Sequence, residues 1–322
     1  MSKQPLIILQ DGAVDELISV ALVGTMQNVE LLGIVVVNAD CRAAPTVDVT
    51  QKVLNLMQQP NVPITTSIAR AVNAFPWSYR QYSMMANLLP MLNITPNTVP
   101  PSTESGEQMI VDLIQNNMQQ GGEKVKVLVL SPMTPLTTAL SMDPNIKNGI
   151  AEIIWMGGAL EPANGNCGFP YGNVDPGLAP GANANAEWNA YWDPFSVQEI
   201  LASGIPLTMF PLNATNEVML TPEIVLKFAP DSAQYPLYAL SGQMYAMVAF
   251  EAGYAFWDTV TTAYLDQPSL YTIEQQLLLN VTEGDNEGNI VQSPNGYEVN
   301  VVTDIDVNGF YAYLFEQLTW VG

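Results

Sequence analysis

Residues 5–17 read Pro5-Leu6-Ile7-Ile8-Leu9-Gln10-Asp11-Gly12-Ala13-Val14-Asp15-Glu16-Leu17. An apolar run of strand length ends abruptly on a carboxylate. Gly12 follows and lets the backbone turn tightly. Leu17, Ile18, Ala21 and Leu22 then take helical spacing. The switch from a continuous apolar run to helical spacing across one glycine predicts a strand–turn–helix unit. Because the run is apolar at every position, the strand is predicted to be buried on both faces, as in a parallel sheet covered by helices.

The alternation continues outward from there. Strands are predicted over 30–37, 62–65, 125–130, 151–155 and 206–209, and helices over 45–57, 104–118, 135–142 and 194–202. The helix over 104–118 runs into Gly121-Gly122, a stop signal. A long helix is predicted over 233–253. From Leu277 onward Thr- and Val-rich strands flank an Asn/Gly-rich turn at 284–289, and a helix near 306–318 closes the chain. This rhythm predicts an α/β fold: one domain over 1–322, with a mostly parallel central sheet flanked by helices. Neither an internal repeat nor an interdomain linker interrupts it. Ligands of such sheets sit beyond the carboxyl ends of the strands at a topological switch point, so the residues directly after strands are the candidates for function. Segments 69–82, 93–103 and 161–186 are long, aperiodic and rich in Pro, Asn, Gly and Ala. Loops of that length in a compact domain are often functional, and 69–82 is the candidate lid or base-side wall.

Composition narrows the chemistry. The 322 residues carry 9 Lys+Arg against 31 Asp+Glu, a net charge of −22, and no histidine. Nucleic acid and anionic membranes are disfavoured as partners, because a basic face is what binds them. Without histidine there is no Ser-His-Asp or Cys-His catalysis, no His-ligated metal and no imidazole acid. Carboxylates, amides, hydroxyls, aromatics or an oxygen-bound metal remain. With 48% hydrophobic and 12% charged residues the chain is no disordered acidic tail. Cys41 and Cys167 are read most simply as free thiols, although a single bridge stays open. The N-terminal apolar run ends at a carboxylate and reads as a strand, not a signal peptide. No apolar stretch reaches transmembrane length, and a cytoplasmic protein is expected.

Three acidic clusters stand out. In Asp11…Asp15-Glu16 the plain reading is helix capping by Asp15, with Glu16 in the first turn. Clustered acids repel, however, and a hard divalent cation is the usual remedy. In Phe256-Trp257-Asp258-Thr259-Val260 the plain reading is Asp258 as cap of a helix over 259–265. In Ala186-Glu187-Trp188-Asn189-Ala190-Tyr191-Trp192-Asp193-Pro194 capping by Asp193 ahead of Pro194 explains Asp193, but neither Glu187 nor Asn189.

Together these segments resemble the inosine-uridine-type nucleoside hydrolases over nearly the whole chain. The acidic turn Leu9-Gln10-Asp11-Gly12-Ala13-Val14-Asp15-Glu16 resembles that family's D-x-D-P-G-x-D-D. Val37-Asn38-Ala39-Asp40-Cys41, Met156-Gly157-Gly158, Glu187-Trp188-Asn189 with Asp193-Pro194, and Trp257-Asp258 follow in the family's order. The resemblance implies calcium-dependent (Ca2+) hydrolysis of the N-glycosidic bond of ribonucleosides. It implies Asp11 as base and calcium ligand, Glu16 and Asp258 as further ligands, and a main-chain carbonyl near Met133 completing the set. Asp15, Glu187, Asn189 and Asn173 would hold the ribose, and Asp40 falls where many members carry Asn near the metal. A small-molecule nucleoside is the implied partner, and a homo-oligomer, dimer or tetramer, is expected.

The departures are Leu9 and Glu16 in place of two of the family's aspartates and Gly12-Ala13 in place of Pro-Gly. They keep open an alternative: a weakened or inactive nucleoside- or ribose-binding protein on the same scaffold. Trp257 stands where some members carry a histidine that protonates the base. Stacking of a purine on aromatic rings is then the expected means of activation. The candidates are Phe75, Trp77, Tyr79, Trp188, Tyr245 and Trp257, with Trp188 and Trp257 preferred because they adjoin site residues.

Overall fold

The N-terminal apolar run is strand β1 (Gln4–Gln10), buried from Pro5 onward, in a computed structural model that describes residues 3–75, 78–97, 99–161, 171–251 and 253–321. Its neighbours follow in alternation: α1 (Val14–Thr25), β2 (Val29–Val36), α2 (Ala43–Leu56), β3 (Ile64–Thr66), α3 (Tyr82–Ala86), α4 (Gly106–Gln119), β4 (Val125–Leu130), α5 (Thr134–Met142) and β5 (Ile150–Met156). The chain continues through α6 (Trp188–Trp192), α7 (Pro194–Ser203), β6 (Leu207–Phe210), α8 (Leu212–Thr215), α9 (Pro222–Leu226), α10 (Pro236–Val248) and α11 (Trp257–Ala263). It ends with β7 (Tyr271–Asn280), β8 (Ile290–Gln292), β9 (Tyr297–Ile305) and α12 (Val307–Gln317).

The strands form one nine-stranded sheet in the order β3-β2-β1-β4-β5-β6-β9-β7-β8. Pairings from β3 to β9 are parallel, and β7 joins β9 and β8 antiparallel at the far edge. Side chains of β1 alternate between two cores. Leu6 and Ile8 enter the cluster covered by α1, α2, α10 and α12; Ile7 and Leu9 enter the one covered by α4, α5 and α7. This is the expected α/β architecture, with helices on both faces. Strand order reverses direction between β1 and β4, which makes the crevice beyond their carboxyl ends the switch point.

Two expected elements differ. The helix expected over 233–253 is confined to α10. Pro236 sets its start, and beyond Val248 the chain turns so that the Leu220 N–H can donate to the Tyr254 carbonyl and Met219 can bridge Ala255. The antiparallel edge begins at Tyr271 rather than at 277. Its polar middle, Glu274-Gln275-Gln276, hides the strand period but pairs with β9.

The β1–α1 turn depends on Gly12, whose φ is +93° and whose added Cβ would lie 2.2 Å from Thr46 Oγ1 and 2.7 Å from Ser83 Oγ. Ser83 Oγ donates to the Gly12 carbonyl at 2.7 Å, so the start of α3 is pinned to this turn. Gly12→Val combines left-handed strain with overpacking. It should lower stability by roughly 2–4 kcal/mol, measured as a shift in the urea midpoint at unchanged m-value.

Candidate active site

A cavity of about 500 Å³ opens beyond the carboxyl ends of the central strands. Asp11 directly follows β1, while Leu130 and Met156 end β4 and β5, and all three line it. The sequence places these side chains there for one reason: each is the first residue at or past the end of a buried strand.

One wall is acidic. Asp11, Asp15, Glu16 and Asp258 are each between 2% and 7% exposed. Packing of α1 against α11 brings the first turns of both helices together. Carboxylate oxygens of Asp15, Glu16 and Asp258 lie within 4.8 Å of one another, a group that could hold a metal ion. The expected set was Asp11, Glu16 and Asp258, completed by a carbonyl near Met133; the close trio among the described residues contains Asp15, and the Asp11 carboxyl adjoins that of Glu16. Asp15 is tied down on both oxygens: Tyr254 Oη donates to Oδ1 at 2.9 Å and the Asp258 N–H to Oδ2 at 3.0 Å. Glu16 curls back so that the Ala13 N–H donates to its Oε1 at 3.2 Å. The added methylene of Glu relative to Asp permits that reach.

Glu16 Oε2 and Asp258 Oδ1 are buried and have no hydrogen-bond partner. Buried polar atoms are nearly always satisfied, so this all-oxygen donor set fits a hard cation. Burial and then the neighbouring acids push the carboxyls of Glu16 and Asp258 well above the ordinary range. Asp11 is also raised, by burial first; Glu16 and the Asp40 main chain partly counter this through hydrogen bonds.

The capping roles open for Asp15 and Asp258 are not the ones they play. Ala13 is the N-cap of α1, and Phe256 that of α11, with Asp258 in the first turn. Asp15 instead satisfies an N–H of α11 from a different helix. Asp193 does cap α7, accepting from the Ser196 N–H at 3.2 Å.

The facing wall is built on Glu187, the N-cap of α6. Its carboxylate accepts N–H bonds from Gly158 at 2.8 Å, Asn189 at 2.9 Å and Ala190 at 3.1 Å. Gly158 supplies its donor with φ at +81°. Burial raises the Glu187 carboxyl to about 7, opposed by those three bonds. Asn189 Nδ2 donates to the Met156 carbonyl at 3.1 Å, and Asn173 Oδ1 accepts from the Trp188 N–H at 3.0 Å. Asn173, Glu187, Trp188 and Asn189 all line the cavity, as do Asp40 and Trp257.

Of the expected site residues, Met133 is not brought to the cavity lining. It is fully buried, and its carbonyl accepts the Leu136 and Thr137 N–H groups at the start of α5. Among the aromatics, Phe75, Trp188 and Trp257 line the cavity. Phe75 and Trp188 meet edge to face at 4.9 Å, and Trp257 Nε1 donates to Asn216 Oδ1 at 2.8 Å. Tyr245 is a core ring stacked on Phe228, and Tyr79 does not line the cavity. Trp77 and Cys167 lie outside the described residues. Cys41 is a free, buried thiol whose pKa burial pushes up to about 12.

Residues not anticipated are Arg80, Asn216, Met219, Glu251 and Tyr254. They come from loops with no periodicity. The one available signal was Arg80, a rare cation within the long segment 69–82.

Residues 6–312 match the family model described as inosine-uridine preferring nucleoside hydrolase, and the chain belongs to that family. A non-specific ribonucleoside hydrolase of Escherichia coli, RihC, is 27% identical over 212 residues, 64% of this chain and 64% of the relative. The matched region thus spans a little under two thirds of that protein's length. The crystal structure of an inosine-uridine preferring nucleoside hydrolase from Bacillus anthracis superposes with a TM-score of 0.89 at 29% identity, covering 99% of this chain and 100% of the other. A purine-preferring ribonucleoside hydrolase from Gardnerella vaginalis shares the fold, with a TM-score of 0.78 at 21% identity over 98% of both chains. Among the described residues no helix is long and apolar enough to cross a membrane.

Truncating Glu187 strands three buried N–H donors. Glu187→Ala should therefore cost about 3–5 kcal/mol in chemical denaturation, well above the roughly 1 kcal/mol typical of a cap. Glu187→Gln, which keeps an acceptor oxygen, should recover part of that loss.

Proposed function

We propose that this chain hydrolyses the N-glycosidic bond of ribonucleosides, releasing ribose and a free base, with purines preferred. One observation carries the reading. Buried acids with unpartnered oxygens face an acid–amide wall across a cavity sized for a small ligand, at the switch point of a nucleoside hydrolase fold.

Asp11 is the proposed base. It directly follows β1, in the water-accessible lining, and its raised pKa makes its carboxylate a better proton acceptor than an exposed aspartate. Glu16 and Asp258, with Asp11, would hold calcium, and Asp15 orders the cluster by fixing the start of α11. A hard divalent cation bound there supplies the charge that neutralises the acids and acidifies a water. Asp15, Glu187, Asn189 and Asn173 accept from or donate to the ribose hydroxyls, and Asp40 borders the same region. As the C1′–N bond lengthens, positive charge develops on the sugar, and the Glu187 carboxyl, negative above about pH 7, would stabilise it. Trp188 and Trp257 offer faces for a flat base. The substrate is neutral, so a net charge of −22 is no obstacle.

A binding protein of weakened activity is the second reading. Leu9 favours it: the side chain packs in the apolar core with Ile7 and Val129, so no carboxylate supports the site from that position.

A reducing-sugar assay during calcium titration separates the two. Ribose release should appear with calcium, vanish with a chelator and fall about 10²–10⁴-fold in Asp11→Ala, with the far-ultraviolet circular dichroism unchanged. Near-normal turnover by Asp11→Ala would remove Asp11 from the base role. Calcium and ribose binding without ribose release would favour the second reading. Among inosine, guanosine and uridine, uridine should be the slowest; uridine as best substrate would overturn the purine preference.

A further inference from the structure

We propose that Arg80 binds the departing base and selects 6-oxopurine nucleosides, an inference that rests on the hydrolase reading above. When the C1′–N bond breaks, its electron pair goes to the base nitrogen. The water oxygen bonds to C1′, and the water proton passes to Asp11. The base therefore leaves carrying negative charge, which must be met in place before solvent protonates it.

The cavity offers little to meet it. Its lining includes seven carboxylates, Asp11, Asp15, Glu16, Asp40, Glu187, Glu251 and Asp258, and Arg80 is the one cation among the described lining residues. The chain has no histidine. The Tyr254 phenol already donates to Asp15, and burial beside Asp15 holds it far from an acid's range. The Trp257 indole N–H is committed to Asn216.

Arg80 is also held in place. Its N–H donates to the Asp40 carbonyl at 3.0 Å, in a bridge that pairs residue 80 with Cys41 just past the end of β2. Its Nε lies 3.5 Å from Asp40 Oδ1, and its guanidinium sits over the Tyr82 ring at 5.9 Å. Tyr82 Oη in turn donates to Glu251. The loop after β2 and the start of α3 thus position one half-buried guanidinium, so little ordering is left to occur on binding.

The chemistry of the group defines its ligand. A guanidinium stays protonated, so it acts through charge and not by proton transfer. Its planar fork of donors matches the paired acceptors O6 and N7 of guanine and hypoxanthine. Charge that develops on the leaving purine spreads onto those atoms, so both bonds strengthen as the C1′–N bond breaks. Adenine places an amino donor where O6 would be, against another donor.

The test compares inosine, adenosine and p-nitrophenyl riboside with wild type, Arg80→Met and Arg80→Lys. The nitrophenolate leaves without help and bypasses Arg80. In Arg80→Met the ratio of kcat/KM for inosine to that for p-nitrophenyl riboside should fall about 10²-fold, in line with loss of one charge-stabilising donor. The inosine-to-adenosine ratio should fall with it. Arg80→Lys, which keeps a charge beside Asp40 and guards against a folding defect, should regain part of the inosine rate but not the discrimination. Equal losses on inosine and p-nitrophenyl riboside would overturn the leaving-group role, and an unchanged inosine-to-adenosine ratio would overturn the selectivity. If wild type releases ribose from none of the three, the hydrolase reading itself fails and this inference falls with it.

Discussion

Four carboxylates buried against one another, those of Asp11, Asp15, Glu16 and Asp258, are the constraint around which this protein is built. Burial and the neighbouring acids both disfavour the charged forms of Asp11, Glu16 and Asp258. The fold meets part of this cost with the Tyr254 hydroxyl and the N–H groups of Ala13 and Asp258. It leaves Glu16 Oε2 and Asp258 Oδ1 without partners. An apolar replacement would be cheaper for stability alone, so the cluster makes sense as a place where positive charge is to be received.

The surrounding architecture follows from holding that cluster at the end of a rigid strand. Strand β1 is central, buried on both faces and paired with β2 and β4, so Asp11 cannot drift. Gly12 brings α1 back immediately, which presents Asp15 and Glu16 to the same space. Helix α11 packs on α1 and adds Asp258 from more than two hundred residues away in sequence. The opposite wall uses a different device: one glutamate gathers three main-chain donors and thereby fixes a loop, a glycine turn and the start of α6.

The alternation of apolar runs and helical spacing was legible in the sequence because burial on both faces of a parallel strand leaves no choice of residue. Leu6–Leu9 and 125–130 carry that signature directly. So do the site residues that directly follow such strands, Asp11 above all, and Glu187 and Asn189, whose presence capping alone did not explain. The cavity residues Arg80, Asn216, Glu251 and Tyr254 were not legible, because aperiodic loops carry no local pattern that says where their side chains meet. Met133 shows the converse. Only the resemblance pointed to a main-chain carbonyl near it, and in the structure the Met133 carbonyl begins helix α5, accepting the Leu136 and Thr137 N–H groups.

By itself, the sequence determined the fold class, the family resemblance, the acidic character of the chemistry and the exclusion of an imidazole acid, all of which depend on residue type and on spacing along the chain. Only the tertiary structure decided that, among the described residues, Asp15 rather than Asp11 completes the close acidic trio, that Asp15 serves α11 rather than α1, and that one arginine shares the cavity with seven acids. Those outcomes depend on how α1 packs on α11 and how two loops meet over the sheet. Distances between groups far apart in the chain are set by packing, and no local pattern encodes them.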